Sequence, residues 1–292
     1  MGIGLGIGYL SPVKTLMLWF SKHKGLATGI AISGFGLSKV LFSPFIEWCS
    51  SNYGICTTLT SMSFISIFFM TTAVVLIRKP KGWVEPNVKF NIKDYYHVIS
   101  NATYLKIWFI FYLNITCGLA LIAFEKSIGQ TVGITAIGLL ASLTALFNTL
   151  GRFGYSTASD WLKQKETIYK IIFISSLCVM FIGSIWMTLP IMIIMLCVIN
   201  AGYGGGFSTL PTLLQSKFGM EKISTIHGLA LSAWAWAGLS GNQLSNLIIN
   251  QMQYSYNVLF VILGCLYTLS FIITYTISKE APKIIFSSDN DM

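Results

Sequence analysis

Three cations, Lys14, Lys39 and Arg152, stand inside long apolar runs of the sequence. Charge at membrane depth is costly and by default marks a pathway or a binding site. Arg152 is the sharpest of the three, because a guanidinium cannot shed its charge and its planar fork matches a carboxylate. It precedes Asp160 by eight residues, about 12 Å of helix at roughly 1.5 Å per residue. With Asp160 at the edge of its run, Arg152 therefore falls close to the midplane. The acids Glu47 and Glu125 fall near run ends, so no acid is expected deep in any run. A buried cation without an internal acid is arranged to receive a mobile anion. The structural alternative is an arginine bonded to backbone carbonyls, or to Asp160 across a bend. Lys14 lies about two turns from the end of its run, where a long stem can snorkel to the interface. Lys39 is deeper, and either lines the same cavity or is neutralised in place.

Aromatic residues accompany these cations in glycine-rich runs: Tyr9, Phe35, Tyr203, Phe207, Trp234 and Trp236. Tyr203 and Phe207 are four apart and share one helix face, so they are candidates to wall a pore. The remaining chemistry is sparse. His23, His97 and His227 are scattered, and neither H-E-x-x-H nor G-x-S-x-G occurs. No pair of intramembrane aspartates is available to a membrane protease. The cysteines, at 49, 56, 117, 178, 197 and 265, lack ligand spacing and read as small packing residues. No enzyme, cofactor or metal is expected.

The elements that must position these residues follow from composition. Of 292 residues, 54% are hydrophobic and 10% charged, against about 25% charged in a soluble domain. Runs of span length recur near 1–20, 25–48, 53–77, 106–127, 132–158, 168–188, 190–214, 224–248 and 254–278, each sufficient for a bilayer core that takes roughly 20 apolar residues. The net charge of +9 is a topology signal, and nucleic acid is excluded as its explanation. Lys22, Lys24, Arg78, Lys79, Lys81, Lys89, Lys93, Lys163, Lys165, Lys217, Lys222, Lys279 and Lys283 all fall in alternate loops, whereas the opposite loops carry Lys126 alone. That bias places the basic loops and the C-terminus in the cytoplasm. The sequon Asn101-Ala-Thr103 falls on that side and is discounted.

The longest polar stretch, 78–105, divides three runs from six. The expected organisation is a partial N-terminal bundle (1–77), a cytoplasmic central loop (78–105), a six-helix bundle (106–278) and a cytoplasmic tail (279–292). The opening Gly2-Ile3-Gly4-Leu5-Gly6 has no positive leader, which argues against a signal peptide and reads as a span that normally follows others. Glycines crowd the runs at 1–20, 25–48, 190–214 and 224–248. Small residues allow close helix contact, either as static packing or between helices that rock during alternating access.

Several stretches resemble a known family. "GYLSPVKTLMLWFSKHKGLATGIAISGFG" (8–36) is similar to the fourth and fifth spans of the oxalate/formate antiporter family, within the major facilitator superfamily and related to the monocarboxylate transporters. "IFYLNITCGLALI" (110–122) resembles its seventh span, "ALFNTLGRFGYSTASDWLKQ" (145–164) its eighth with the superfamily's G-x(n)-D signature, and "HGLALSAWAWAGLSGN" (227–242) its eleventh. The resemblance implies an all-α membrane bundle of twelve spans, of which the nine here are equivalent to spans four to twelve. It implies that Arg152 holds a substrate carboxylate and that Tyr9, Phe35, Tyr203 and Phe207 box it. Trp234 falls where the oxalate transporter carries a second cation, a lysine, which puts one charge in the pocket.

The expected function is secondary transport of small organic anions of the formate, oxalate or lactate type by alternating access. The site residues are Arg152, Asn148, Trp234, Tyr203, Phe207, Tyr9, Phe35 and Lys39. The lack of a deep acid favours exchange or facilitated passage. Expected partners are small carboxylate anions and the lipid bilayer, in a plasma or inner membrane, with the complete protein a monomer. The rival expectation is a truncated, non-transporting membrane protein or accessory subunit.

Overall fold

A computed structural model describes residues 2–83, 92–220 and 223–277, without the side chains of residues 2–7, 39, 43–44 and 92–94. Apolar stretches of this length fold as helices because backbone in hydrocarbon must satisfy its own N–H and C=O groups. In chain order they are α1 (Gly2–Trp19), α2 (Lys24–Leu76), α3 (Ile92–Ile99), α4 (Ala102–Thr131), α5 (Ile137–Trp161), α6 (Glu166–Ile185), α7 (Leu189–Phe218), α8 (Ile223–Ala230), α9 (Ser232–Asn246), a π-helical turn (Leu247–Gln251) and α10 (Tyr256–Ile277). Among the described residues none forms a strand.

The second and third apolar runs lie in one helical stretch, α2, broken only at Gly54 (φ 80°, ψ 170°). Glycine adopts that left-handed φ without the penalty a Cβ would bring. Straight, the 53 residues of α2 would reach about 80 Å. Instead the Trp19 indole N–H, at the end of α1, donates to the Arg78 carbonyl just beyond α2 at 2.7 Å. The stretch therefore doubles back to the end from which it started.

Six helical segments are long and apolar enough to cross a membrane by length and composition: two within α2, and α4, α6, α7 and α10. α5 is not among them, since it carries Asn148, Arg152, Asp160 and several hydroxyls. The run at 224–248 is divided among α8, α9 and the π-helical turn, with an interruption at Leu231. Asn101, the sequon asparagine, caps α4 by accepting from the Tyr104 backbone N–H at 3.1 Å. Because α4 runs on to Thr131, Glu125 lies inside it, buried and accepting the Thr144 hydroxyl. The expectation that every acid stays near a run end fails at Glu125.

α5 is packed between α2 and α7, while α4 packs on α7 and α9, and α10 on α6 and α4. Glycine sets the α5–α7 distance. A methyl on Gly151 would stand 2.1 Å from the Ala201 carbonyl oxygen, and one on Gly204 2.3 Å from that of Asn148. Gly8, Gly34 and Gly238, from equally glycine-rich runs, have nothing within 4 Å of that position. The apolar core, with fully buried Tyr169, Tyr267, Phe111, Phe173 and Phe260, lies among α4, α6, α7 and α10. Beyond Gly54 the side of α2 is uncovered, with Phe64, Phe68 and Val74 exposed.

Candidate functional site

Arg152 lies within α5 with 7% of its surface exposed. Its Nε donates to Asn148 Oδ1 at 2.8 Å, one turn back on the same helix. One terminal nitrogen, Nη1, donates to the Ile32 carbonyl of α2 at 3.4 Å. A guanidinium has five N–H donors, and among the described residues no carboxylate pairs with this one. Asp160 does not reach back to it. Both carboxylate oxygens of Asp160 are taken by the start of α2, from Gly25 N–H at 2.7 Å and Leu26 N–H at 2.8 Å.

Aromatic rings close over the guanidinium. Its central carbon lies 5.2 Å from the Phe207 ring centroid and 5.9 Å from that of Phe35, within the range of a cation–π contact. The Tyr9 ring, from α1, meets both of those rings at 5.8 Å. Trp234 of α9 stands edge-on to Phe207 at 5.2 Å. Tyr203 lies within electrostatic reach of Arg152. Five helices, α1, α2, α5, α7 and α9, thus bring Tyr9, Phe35, Asn148, Arg152, Tyr203, Phe207 and Trp234 into one cluster. The Lys39 side chain lies outside the described residues. Trp236, a candidate wall residue in the sequence, is 61% exposed and faces away, as two residues on a helix must.

The end of this cluster nearer the basic loops is sealed by polar contacts among α2, α5 and α7. Ser156 Oγ donates to the Gly25 carbonyl at 2.7 Å and lies 2.9 Å from Thr28 Oγ1. Ser208 Oγ donates to the Arg152 carbonyl at 2.7 Å. The seam is close enough that a methyl on Gly25 would stand 2.0 Å from the Ser156 carbonyl oxygen.

His227 is the residue that sequence reading passed over. It is 3% exposed on α8, its ring centroid 5.7 Å from that of Tyr9. Its Nε2 and the Tyr9 hydroxyl are both buried without a hydrogen-bond partner. The signal was its spacing: His227 precedes Trp234 by seven residues, two helical turns and so one face. Among the described residues no group of three or more metal-ligating side chains forms.

A multi-pass helical bundle around a buried cation agrees with comparison to known proteins. The profile of the Major Facilitator Superfamily matches residues 1–242, and the chain belongs to that superfamily. It is 24% identical to the oxalate:formate antiporter of Oxalobacter formigenes over 269 residues, 89% of this chain and 63% of that protein. It is 21% identical to the uncharacterized MFS-type transporter YhjX of Escherichia coli K12 over 78% of this chain and 58% of that one. A shorter match, 28% identical over 75 residues, is to monocarboxylate transporter 13 of the rat, over 26% of this chain and 18% of that one. The chain thus spans about three-fifths of the length of the first two. It is a multi-pass membrane protein of a transporter superfamily.

Proposed function

We propose that the chain serves secondary transport of small organic anions, of the monocarboxylate type, by alternating access. One observation carries this reading: Arg152 is buried under aromatic rings, with a neutral amide and a backbone carbonyl as its hydrogen-bond partners. A desolvated carboxylate needs a charged hydrogen-bonding partner to offset its lost water, and a cation held this way offers its remaining donors. Phe207 and Tyr9, both buried, wall off one side of it from water. Similarity to an oxalate:formate antiporter and to a monocarboxylate transporter supports the same class of substrate. In this reading residues 1–77 and 106–278 belong to two bundles that rock about the anion, with the basic loops and the C-terminus in the cytoplasm of a plasma or inner membrane.

The test is binding of formate and lactate to the purified chain. Arg152→Ala should abolish it, and Arg152→Lys should weaken it by about tenfold or more, because a point charge loses the bidentate fit. Normal binding by Arg152→Ala would overturn the assignment.

A second reading, a non-transporting membrane protein or accessory subunit, draws on the uncovered side of α2 beyond Gly54. Flux through liposomes separates the two: carboxylate movement by the reconstituted chain alone would dismiss the second reading.

A further inference from the structure

A turn after α2 builds a cleft at the end of the bundle that bears the basic loops. The Trp19 indole N–H, bonded to the Arg78 carbonyl, holds the chain before that turn against the end of α1. The Trp83 backbone N–H then bonds back to the Pro80 carbonyl at 3.1 Å. Gly82 takes the positive φ, 84°, that such a turn asks of its third residue. The cleft measures about 420 Å³, within the roughly 300–1,000 Å³ of small-molecule sites. Its polar side is Ser21, Lys24, Lys81 and Trp83, and its apolar side is formed by Met17, Leu18 and Met220.

Charge, donors and depth all point to one ligand. Two lysines line the cleft, and among the described residues no carboxylate does. Asp160, the carboxylate within electrostatic reach of Lys24, already accepts from Gly25 and Leu26. The Trp83 indole N–H is buried without a hydrogen-bond partner, and buried donors are nearly always satisfied by protein, water or ligand. Two cations, an indole donor and a hydroxyl are together the complement of a phosphate. The methionine and leucine side is the complement of hydrocarbon. A phospholipid carries both, and it surrounds this cleft. The first spanning segment of α2 begins at Lys24, the level at which a helix meets lipid headgroups.

We propose that this cleft seats an anionic phospholipid. The phosphate sits between Lys24 and Lys81, with the Trp83 indole N–H and the Ser21 hydroxyl as donors, and an acyl chain runs along Leu18. Basic pockets at a membrane face recognise anionic headgroups, and tryptophan is enriched at that depth. The site is separate from Arg152 and does not depend on what the chain carries. It joins segments far apart in sequence, since the end of α1, the start of α2, the turn at 80–83 and Met220 beyond α7 all line it. A bound lipid therefore holds this end of the bundle together.

The experiment offers phosphatidylglycerol and phosphatidylcholine in equal amount to the purified full chain in detergent, and counts retained lipid by native mass spectrometry. Phosphatidylglycerol should bind about tenfold tighter or more, since each lysine at an anionic lipid surface contributes about fivefold. It should also raise the unfolding temperature, as a ligand of the folded state does. The double variant Lys24→Gln, Lys81→Gln should bring the two lipids level. Trp83→Phe keeps a ring and loses the N–H, and should weaken phosphatidylglycerol alone by about threefold or more. Lys163→Gln removes an exposed charge from another basic loop and should leave the preference intact. Equal retention of the two lipids by the unaltered chain, an unchanged preference in Trp83→Phe, or a preference lost in Lys163→Gln overturns the site. Inorganic phosphate that displaces phosphatidylglycerol at equal concentration would make the ligand a free phosphate and overturn its assignment as a lipid.

Discussion

The carboxylate of Asp160 is bonded to the backbone N–H of Gly25 at 2.7 Å, across 135 residues of sequence. With Leu26 N–H on its other oxygen, Asp160 acts as a helix cap supplied from another helix. It satisfies two of the donors that the start of α2 leaves unpaired and places a negative charge at the positive end of the helix dipole. The superfamily signature aspartate in this chain is thus a clasp between α5 and α2 at the end bearing the basic loops.

Removing the clasp should loosen that end. Asp160→Ala is expected to cost about 0.5–2 kcal/mol, the range for a lost helix cap. Asp160→Asn should cost less, since an amide oxygen keeps one acceptor. A cysteine placed at Thr28, which is buried in the seam, reports opening by its rate of labelling with a polar thiol reagent. Labelling should rise several-fold in Asp160→Ala; an unchanged rate would show that the seam is held elsewhere.

Backbone contact between α5 and α7 gives a steric prediction. A methyl on Gly204 would stand 2.3 Å from the Asn148 carbonyl oxygen and 3.0 Å from Arg152 Cγ. Gly204→Ala should destabilise the protein by about 1–3 kcal/mol, as overpacking does, and should weaken anion binding because it displaces both residues that form the cation site. Gly238→Ala, with open space around it, should lower the melting temperature far less. Equal losses in thermal unfolding would refute the assignment of the close contact.

In the proposed site Trp234 is the residue that tests the charge count. Its edge lies on Phe207, the ring nearest the Arg152 guanidinium. Near neutral pH one fixed cation should favour formate- or lactate-sized anions over oxalate. Trp234→Lys should move competition binding towards dianions by about tenfold or more. A parent protein that already prefers dianions at neutral pH would contradict the one-charge pocket.

Topology can be tested without reference to the site. In a cysteine-free background, cysteines introduced at Lys89 and Gln251 should be labelled from opposite sides of the membrane, Lys89 from the cytoplasm. This expectation rests on the distribution of lysine and arginine among the loops. Labelling of both from one side would refute it.

Arg152 was legible because a permanent charge in an apolar run needs an explanation from local sequence alone. Asn148 follows from the same helix, since residues four apart meet. The helical architecture was legible from run length, and so was the reversal between the runs at 25–48 and 53–77; that it is made by one positive φ at Gly54 inside a single helical stretch was not. Asp160 was placed correctly at the edge of its run, yet its partners come from α2, and no local pattern encodes a contact over 135 residues. His227 was lost among scattered histidines because its meaning lies in Tyr9, a residue of another helix. Glu125 was taken for a helix-end acid because the polar sequence after it hides two further turns of α4.

The two hydrogen bonds of Arg152 are unequal, and that inequality sorts passenger from doorway. The shorter, at 2.8 Å, goes to Asn148 four residues back on α5; the longer, at 3.4 Å, crosses to Ile32 on α2. In the proposed transport cycle, parting of α2 and α5 breaks the bond across the seam first, and the guanidinium keeps its orientation from within its own helix. On that proposal a cargo held by Arg152 stays seated on α5 while α2 moves past it as the door, and the terminal nitrogen released by Ile32 becomes free to bond the cargo.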